Sequence, residues 1–210
     1  MDATLPPPFP TLPGFEHIQR VWISRHACYA VRIMPGEYYV TASGEAVTTT
    51  LGSCIAACVR DRVRGIGGMN HFMLPQTPDS SSWQAAGIGA SMRYGNYAME
   101  HLINGIMSNG GCRENLEVKI FGGGRILEKV TDVGLRNIEF VRKYLAVESL
   151  PVVAEDVGDV YPRMVIYFPA TGRVQVKRLR SLHNNLIATQ EMSYGDQLKD
   201  KPVSGEVELF

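Results

Sequence analysis

The sequence lacks both an excess of charge of one sign and a long apolar run. Lys plus Arg and Asp plus Glu number 21 each, so the formal net charge at neutral pH is zero. A chain without an overall basic field is not expected to bind nucleic acid or an acidic membrane surface. No stretch approaches the roughly 20 apolar residues of a membrane-spanning helix, so direct membrane insertion is not expected either.

Cysteine is also scarce, with only four in 210 residues. Cys28, Cys54, Cys58 and Cys112 are irregularly spaced and too few to staple a chain of this length with disulfides. The first residues show no basic segment followed by an apolar stretch, so no secretory signal is predicted. We expect a reduced, cytoplasmic environment in which a free thiol survives.

The chain length favours one domain with elaborations. Residues 1–16 contain five prolines and are predicted to form a flexible arm, followed by a domain over residues 17–180 and a tail over residues 181–210 of unpredicted structure. Many strand-like runs and two helical patterns, Ser91–Ser108 and Val133–Glu148, lie within the domain. This predicts an α+β fold, a β-sandwich of mixed sheets with helices packed on the outside.

The segment VTTTLGSCIAACVRDRVRGIGGMNHFMLP (residues 47–75) organises the chain. Two short apolar runs flank a charged turn, which predicts a β-hairpin with Arg62 and Val63 at its tip. Counting outward from the tip places Cys54 opposite His71, at a Cβ separation of roughly 4.5–5.5 Å. A one-residue slip would turn His71 to the other face, and SCIAACV could instead form a buried helical turn. Both faces of the hairpin are largely apolar, which favours a position inside the sandwich.

A cysteine beside a histidine is a candidate nucleophile with its base. Only the thiolate attacks, and an imidazole can take the thiol proton and then stabilise the resulting charge. From the residues alone, a small buried Cys54 and an ordinary strand His71 remain an alternative. A zinc site from Cys54, Cys58, His71 and His101 is not predicted, because the CxxxC spacing differs from that of a zinc knuckle. We expect no metal and no cofactor.

LGSCIAACVRD and GGMNHFMLP resemble the signature of the CheD family, the chemoreceptor glutamine deamidases of bacterial chemotaxis. Further similar blocks follow in the family's order over about residues 30–180: MPGEYYVT, RYGNYAME, KIFGGG, GLRNIEFVRKYL, VVAEDVGD and FPATGRVQVKRL. The resemblance implies a fold of cysteine-hydrolase type. It also implies a protein-glutamine glutaminase that hydrolyses glutamine side chains to glutamate on the cytoplasmic domains of methyl-accepting chemotaxis receptors, through a thioester.

The resemblance assigns three catalytic residues. They are Cys54, His71 seventeen residues later, and Thr48 six residues before the cysteine. Backbone N–H groups near Gly52 and Ser53 are expected to hold the oxyanion of the tetrahedral intermediate. The resemblance also implies a CheC-type phosphatase as a partner, so the alternative function is a regulatory binding module that engages the phosphatase or the receptor with little catalysis.

Overall fold

The structure is a computed structural model of the chain, and it describes residues 5–75, 87–126, 133–179 and 184–200. These residues form ten strands and three α-helices. The strands are β1 Arg20–Ile23, β2 Cys28–Arg32, β3 Tyr38–Thr41, β4 Ala46–Leu51, β5 Ile55–Asp61, β6 Gly67–Asn70, β7 Leu116–Gly122, β8 Val152–Val157, β9 Arg163–Phe168 and β10 Arg173–Arg178. The helices are α1 Gly87–Ser108, α2 Val133–Val147 and α3 Asn184–Asp200.

The strands form two five-stranded sheets. The first has the order β1-β2-β4-β9-β10, and the second has the order β3-β6-β5-β7-β8. Both are mixed, because β2 runs parallel to β4 and β7 runs parallel to β8, while the other pairs are antiparallel. The predicted α+β class with mixed sheets and helices alongside is confirmed.

One apolar core joins the two sheets. Val47 and Leu51 of the first sheet and Ala56 and Met69 of the second are fully buried in the same cluster. Alternate residues of β5 point to opposite faces, so the face that carries Ala56 lies against the first sheet. The other face of the second sheet is covered by α1 and α2, where Phe140 of α2 packs edge-on against Phe72.

The hairpin forms, but its register differs from the prediction by two residues. Ile55 pairs with Phe72 rather than with Asn70. The tip is longer than predicted, because the N–H of Asp61 donates to the carbonyl of Ile66 and leaves residues 62–65 as the turn. The side chain of Asp61 stabilises this turn by accepting two backbone N–H groups within it. A shift of two residues preserves which side chains share a face, so Cys54 and His71 still lie on the same face of the hairpin.

The predicted tail, whose structure the sequence pattern did not indicate, contains α3. Residues 5–16, in the predicted arm, contain no helix or strand, but Phe15 at their end is buried against Tyr38 and Tyr39. The domain boundaries at residues 17 and 180 stay predictions. The polar run QTPDSSS at residues 76–82, which predicts a loop, and Asp132, which is placed to cap the second helix, lie outside the described residues. No helix in the described ranges is both long and apolar enough to cross a membrane.

Candidate active site

Cys54 and His71 meet in the interior between the two sheets. Cys54 immediately precedes β5, and His71 immediately follows β6. The Sγ atom of Cys54, a ring nitrogen of His71 and a carboxylate oxygen of Glu191 all lie within 4.8 Å of one another. The side chains of Cys54 and His71 are almost wholly buried, and all four cysteines are free thiols. The structure therefore brings together the two residues that the hairpin predicted to meet.

The threonine that contacts His71 is Thr49, not the predicted Thr48. The Thr49 hydroxyl lies 2.8 Å from Nδ1 of His71, whereas the Thr48 hydroxyl donates to the carbonyl of Val165 on β9 at 2.9 Å. Successive side chains of a strand point to opposite faces, and on β4 the inward face carries Val47, Thr49 and Leu51. Thr48 therefore faces away from His71 and Thr49 faces it, while the catalytic role of Thr48 stays a prediction.

The contacts of Thr49 define the protonation of the imidazole. The hydroxyl also lies 2.8 Å from the carbonyl oxygen of Ile33, which can only accept. A hydroxyl has one proton to donate, so it donates to Ile33 and accepts from Nδ1–H of His71. The other ring nitrogen, Nε2, then carries a lone pair. This tautomer is the one that a general base needs.

Nε2 of His71 has no hydrogen-bond partner among the described residues and is buried. Burial lowers the pKa of His71 to about 3, because the protein interior disfavours the charged imidazolium. The ring is therefore neutral at physiological pH in this arrangement. Nε2 is therefore available to accept a proton from a thiol or a substrate that makes a hydrogen bond to it.

Residues 52–54 cross from β4 in the first sheet to β5 in the second, and their carbonyl groups are firmly bound. The N–H of Gly124 donates to the carbonyl of Gly52 at 2.7 Å, and the N–H of Gly123 donates to that of Cys54 at 2.7 Å. Asn137 on α2 is fully buried and donates from Nδ2 to the carbonyl of Ser53 at 2.8 Å. With the three carbonyls fixed on one side, the three N–H groups face the other side.

All three N–H groups converge on the carboxylate of Glu191 from α3. Oε1 accepts from Gly52 at 2.8 Å and from Cys54 at 3.2 Å, while Oε2 accepts from the N–H of Ser53 at 2.7 Å and from its hydroxyl at 2.6 Å. Converging backbone N–H groups make a site for negatively charged oxygen. Gly52 and Ser53, predicted to lie near the oxyanion, thus contribute donors to an anion site beside the Cys54 sulfur.

Glu191 also sets the state of the thiol. Burial raises the pKa of Cys54 well above its ordinary value, and the negative charge and hydrogen bond of Glu191 raise it further. The sulfur is therefore protonated while this helix is in place. Cysteine, histidine and a carboxylate are also ligands that zinc accepts, but both carboxylate oxygens already accept N–H groups, whose dipoles favour an anion at this position.

Comparison with known proteins identifies the family. A family model described as CheD chemotactic sensory transduction matches residues 73–178. Three relatives carry the name "Probable chemoreceptor glutamine deamidase CheD". The one from Halorhodospira halophila is 50% identical over 95% of this chain and 93% of its own length. Those from Hahella chejuensis and Thiobacillus denitrificans are 50% and 54% identical, over 98% and 87% of this chain and 96% and 90% of their own lengths. The chain belongs to the CheD family.

The CheD match and the site overlap only in part. The family model begins at residue 73, just after His71, so it does not itself include the cysteine and histidine. The similarity to the Hahella relative covers 98% of the chain and so includes all of residues 47–75. The CheD resemblance seen in the sequence is thereby confirmed over the segment that holds the site.

Two cavities adjoin the site of this CheD-family chain. The larger, of about 570 Å³, lies between α1, α3 and residues 35–38 and reaches His71, with Tyr94, Tyr97 and Tyr194 along its wall. A small one of about 20 Å³ touches Thr49, His71 and Glu191. Cys54 lines neither of these cavities. A path therefore leads to the histidine, while the sulfur lies behind Glu191.

Sequence reasoning missed three residues of the site. Thr49 was one position away from the threonine chosen, and its inward-facing place on an alternating strand was the available signal. Asn137 and Glu191 are polar residues in helices far along the chain, and only the folded structure places them at residues 52–54. Three consecutive glycines at residues 122–124 predict a tight turn, and in the structure two of them also bring N–H donors to the loop.

Proposed function

We propose that this CheD-family chain is a protein-glutamine amidohydrolase that converts glutamine side chains to glutamate on the cytoplasmic domains of methyl-accepting chemotaxis receptors. The observation that supports it most directly is that a thiol, a base-type imidazole and three backbone N–H groups surround the two oxygens of one carboxylate. The relatives are named as chemoreceptor glutamine deamidases. We also infer a cytoplasmic location, since the receptor domains that carry the substrate glutamines are cytoplasmic.

The first half of the reaction forms a thioester. Nε2 of His71 takes the proton of Cys54, and the thiolate attacks the carbonyl carbon of the glutamine carboxamide. The carbonyl oxygen becomes an oxyanion at the position that the Glu191 carboxylate occupies, where the N–H groups of residues 52–54 donate to it. The His71 imidazolium then protonates the nitrogen, the C–N bond breaks, and ammonia leaves.

The second half hydrolyses the thioester. His71, neutral again, takes a proton from water as the water oxygen attacks the same carbon. The C–S bond breaks, the sulfur recovers a proton from the imidazolium, and glutamate is released. Thr49 is a positioning residue in this scheme, because it holds His71 in the tautomer that leaves Nε2 unprotonated.

The test is mass spectrometry of a receptor cytoplasmic fragment after incubation with the protein. Each converted glutamine gains about one dalton, since NH₂ is replaced by OH, and a thioester mechanism needs the sulfur. Cys54→Ala should abolish the gain. Cys58→Ala is the matched control, because Cys58 is equally buried on the same strand face but away from His71, and it should retain activity. Conversion by the Cys54→Ala protein would contradict the proposal.

The alternative is a regulatory binding module with little catalysis, which engages the receptor or a CheC-type phosphatase. The burial of Cys54 and its raised pKa favour this alternative while α3 holds Glu191 against the site. One measurement distinguishes the two functions. It is thiol labelling of the wild-type protein with and without the receptor fragment. An enzyme should show faster labelling of Cys54 when its site opens, whereas a binding module should bind the fragment with Cys54 protected and no mass gain.

A further inference from the structure

Helix α3 covers the site with a charged side chain. Its described part buries Ile187, Glu191 and Gly195, one residue per turn along the face turned toward the body. The central residue of this stripe is a carboxylate, a group that proteins rarely bury without partners. Glu191 is 2% exposed, and Cys54 beneath it is 0% exposed. While Glu191 stays in place, no side chain of another protein reaches the sulfur.

Glu191 has the chemical form of a deamidation product. Glutamate and glutamine side chains have the same length and differ only in an oxygen in place of the amide nitrogen. The Glu191 carboxylate accepts from the three N–H groups of residues 52–54 and from the Ser53 hydroxyl. These are the donors expected to hold the substrate carbonyl oxygen. Glu191 is therefore bound as a glutamate just formed in the site would be bound.

We propose that Glu191 is an intramolecular product mimic, and that α3 must leave the site before a substrate glutamine enters. This rests on the proposed function, because a bound glutamate is product-like only if the site makes glutamate. Substrate and α3 then compete for the same donors. The apparent affinity for substrate is reduced by the fraction of molecules in which α3 is seated.

The packing of α3 is suited to such release. Ile187 is the one large apolar side chain that its described part buries, whereas Leu186 and Met192 are 69% and 53% exposed. Tyr194 adds a hydroxyl contact to Tyr94 of α1. A helix with few buried apolar contacts belongs to the parts of a fold that open most easily. The Glu191 hydrogen bonds are a further part of its hold on the body, beside Ile187 and the partly buried Tyr194, and water or a substrate amide can replace them.

Release would also activate the nucleophile. Burial, and then the charge of Glu191, raise the pKa of the Cys54 thiol, and this charge leaves the site when α3 moves away. The imidazole of His71 is already in the required tautomer, since Thr49 holds it from the opposite side. One displacement thus uncovers the sulfur and favours its thiolate form.

The most direct test replaces Glu191, the proposed product mimic, by the corresponding substrate side chain, glutamine. In Glu191→Gln, the introduced carboxamide lies where a substrate carboxamide would lie. The Cys54 thiolate should attack its carbonyl carbon, release ammonia and, after hydrolysis by water, regenerate glutamate at position 191. The purified protein should gain about one dalton at this position with time, because an amide becomes an acid. Peptide mapping offers internal controls in the same helix, since the exposed Gln190 and Gln197 should stay unchanged.

The double variant Cys54→Ala with Glu191→Gln shows whether any gain depends on the sulfur. It should show no gain. If the carboxamide at position 191 stays intact while the same preparation converts receptor glutamines, Glu191 is not a product mimic and the proposed function stands. If neither the introduced carboxamide nor the receptor glutamines are converted, the proposed function fails and the mimic fails with it.

A second test removes the competitor in the full chain. Glu191→Ala should raise kcat/KM for receptor deamidation by about tenfold or more, since each tenfold decrease in the open fraction lowers the apparent affinity tenfold. It should also speed alkylation of Cys54 relative to Cys28 and Cys112, which are partly exposed in the wild type. Met192→Ala is the matched control, because Met192 is a neighbouring exposed residue of α3 and should leave both rates unchanged. An unchanged or lower kcat/KM in Glu191→Ala would overturn the proposal.

Discussion

Asn137 on α2 and Glu191 on α3 both bind the backbone of residues 52–54, but they bind opposite sides of it. Asn137 reaches the carbonyl side together with Gly123 and Gly124, while Glu191 accepts from the N–H side. Asn137 also accepts from the N–H of Leu74 at 2.9 Å, so it ties the loop to the segment that follows His71. The contacts on the carbonyl side therefore help to position both Cys54 and His71.

The two helices differ in how they are anchored. α2 buries Ile138, Phe140, Val141 and Leu145, and each large apolar side chain contributes roughly 1.5–3 kcal/mol when fully buried. The described part of α3 buries a single large apolar side chain around its carboxylate. The carbonyl face of the loop is thus held by a well-packed helix, whereas the N–H face is held by an exchangeable side chain. The substitutions below test this difference.

The largest loss of stability is expected on the carbonyl side, at Gly122. Its φ is +109°, and a β-carbon there would collide with the carbonyl oxygen of Cys54. Gly122→Ala should lower the free energy of unfolding by about 3 kcal/mol or more, from backbone strain and overpacking together. Gly44 has a similar φ of +78° with open space around it, so Gly44→Ala should cost only about 1 kcal/mol. Urea denaturation measures both, and equal losses would contradict the collision.

Asn137→Ala should have the next largest effect. It leaves the Ser53 carbonyl and the Leu74 N–H without partners in a buried place, at a cost of about 2–3 kcal/mol of unfolding free energy. Deamidation should fall as well, because the loop loses its fixed carbonyl side. Leu135→Ala on the same helix is the control, since Leu135 is exposed. Glu191→Ala should cost less than about 1 kcal/mol, since water can then reach the freed donors. A greater loss in Glu191→Ala than in Asn137→Ala would reverse the comparison.

A smaller effect, on rate more than stability, is expected at Thr49. Thr49→Val removes the acceptor for Nδ1–H of His71, and kcat should fall by about tenfold to a hundredfold. Thr49→Ser should restore most of the activity, because it keeps the hydroxyl. Thr48→Val should change kcat by less than about twofold, because the Thr48 hydroxyl donates to the backbone of β9 and faces away from His71. Steady-state deamidation kinetics, with a pH profile for each variant, distinguish a tautomer effect from a loss of folded protein.

The smallest effect is a pH dependence of stability due to His71. Its pKa is about 3 in the folded protein and about 6.5 when unfolded. Above about pH 6.5 the ring is neutral in both states. Below it only the unfolded chain binds the proton, so stability should fall by about 1.4 kcal/mol per pH unit. Urea denaturation at about pH 7 and pH 5 should show a smaller fall in His71→Gln. An equal fall in the two proteins would assign the proton to other groups.

Sequence patterns identified the pair and the architecture because these depend on local alternation. The hairpin register was wrong by two residues, yet Cys54 and His71 still share a face, since an even shift preserves side-chain direction. The resemblance assigns Thr48 by its spacing from Cys54. On β4 it is Thr49 that faces His71, because neighbouring side chains of a strand point to opposite faces, and the catalytic role of Thr48 stays a prediction.

The rest of the site could not be predicted, because it is made by contacts across long sequence separations. Asn137 and Glu191 lie 84 and 138 residues from Ser53. Nothing in the helical pattern of α2 distinguishes a buried asparagine from a solvated one. The tail around Glu191 is polar and mixed, and its structure was left unpredicted, although Ile187, Glu191 and Gly195 stand at helical spacing. Only the tertiary structure shows that this stripe, with a carboxylate at its centre, is buried.

The coverage of Cys54 by Glu191 and α3 has a consequence for how long the protein stays active. Peroxides and foreign disulfides attack thiolates that they can reach, and in the closed arrangement the sulfur is both protonated and inaccessible. A resting molecule thus shields its nucleophile from irreversible oxidation. Oxidation of Cys54 is then confined to the times when α3 is displaced. Protein without substrate should therefore lose activity to oxidation more slowly than protein that is turning over.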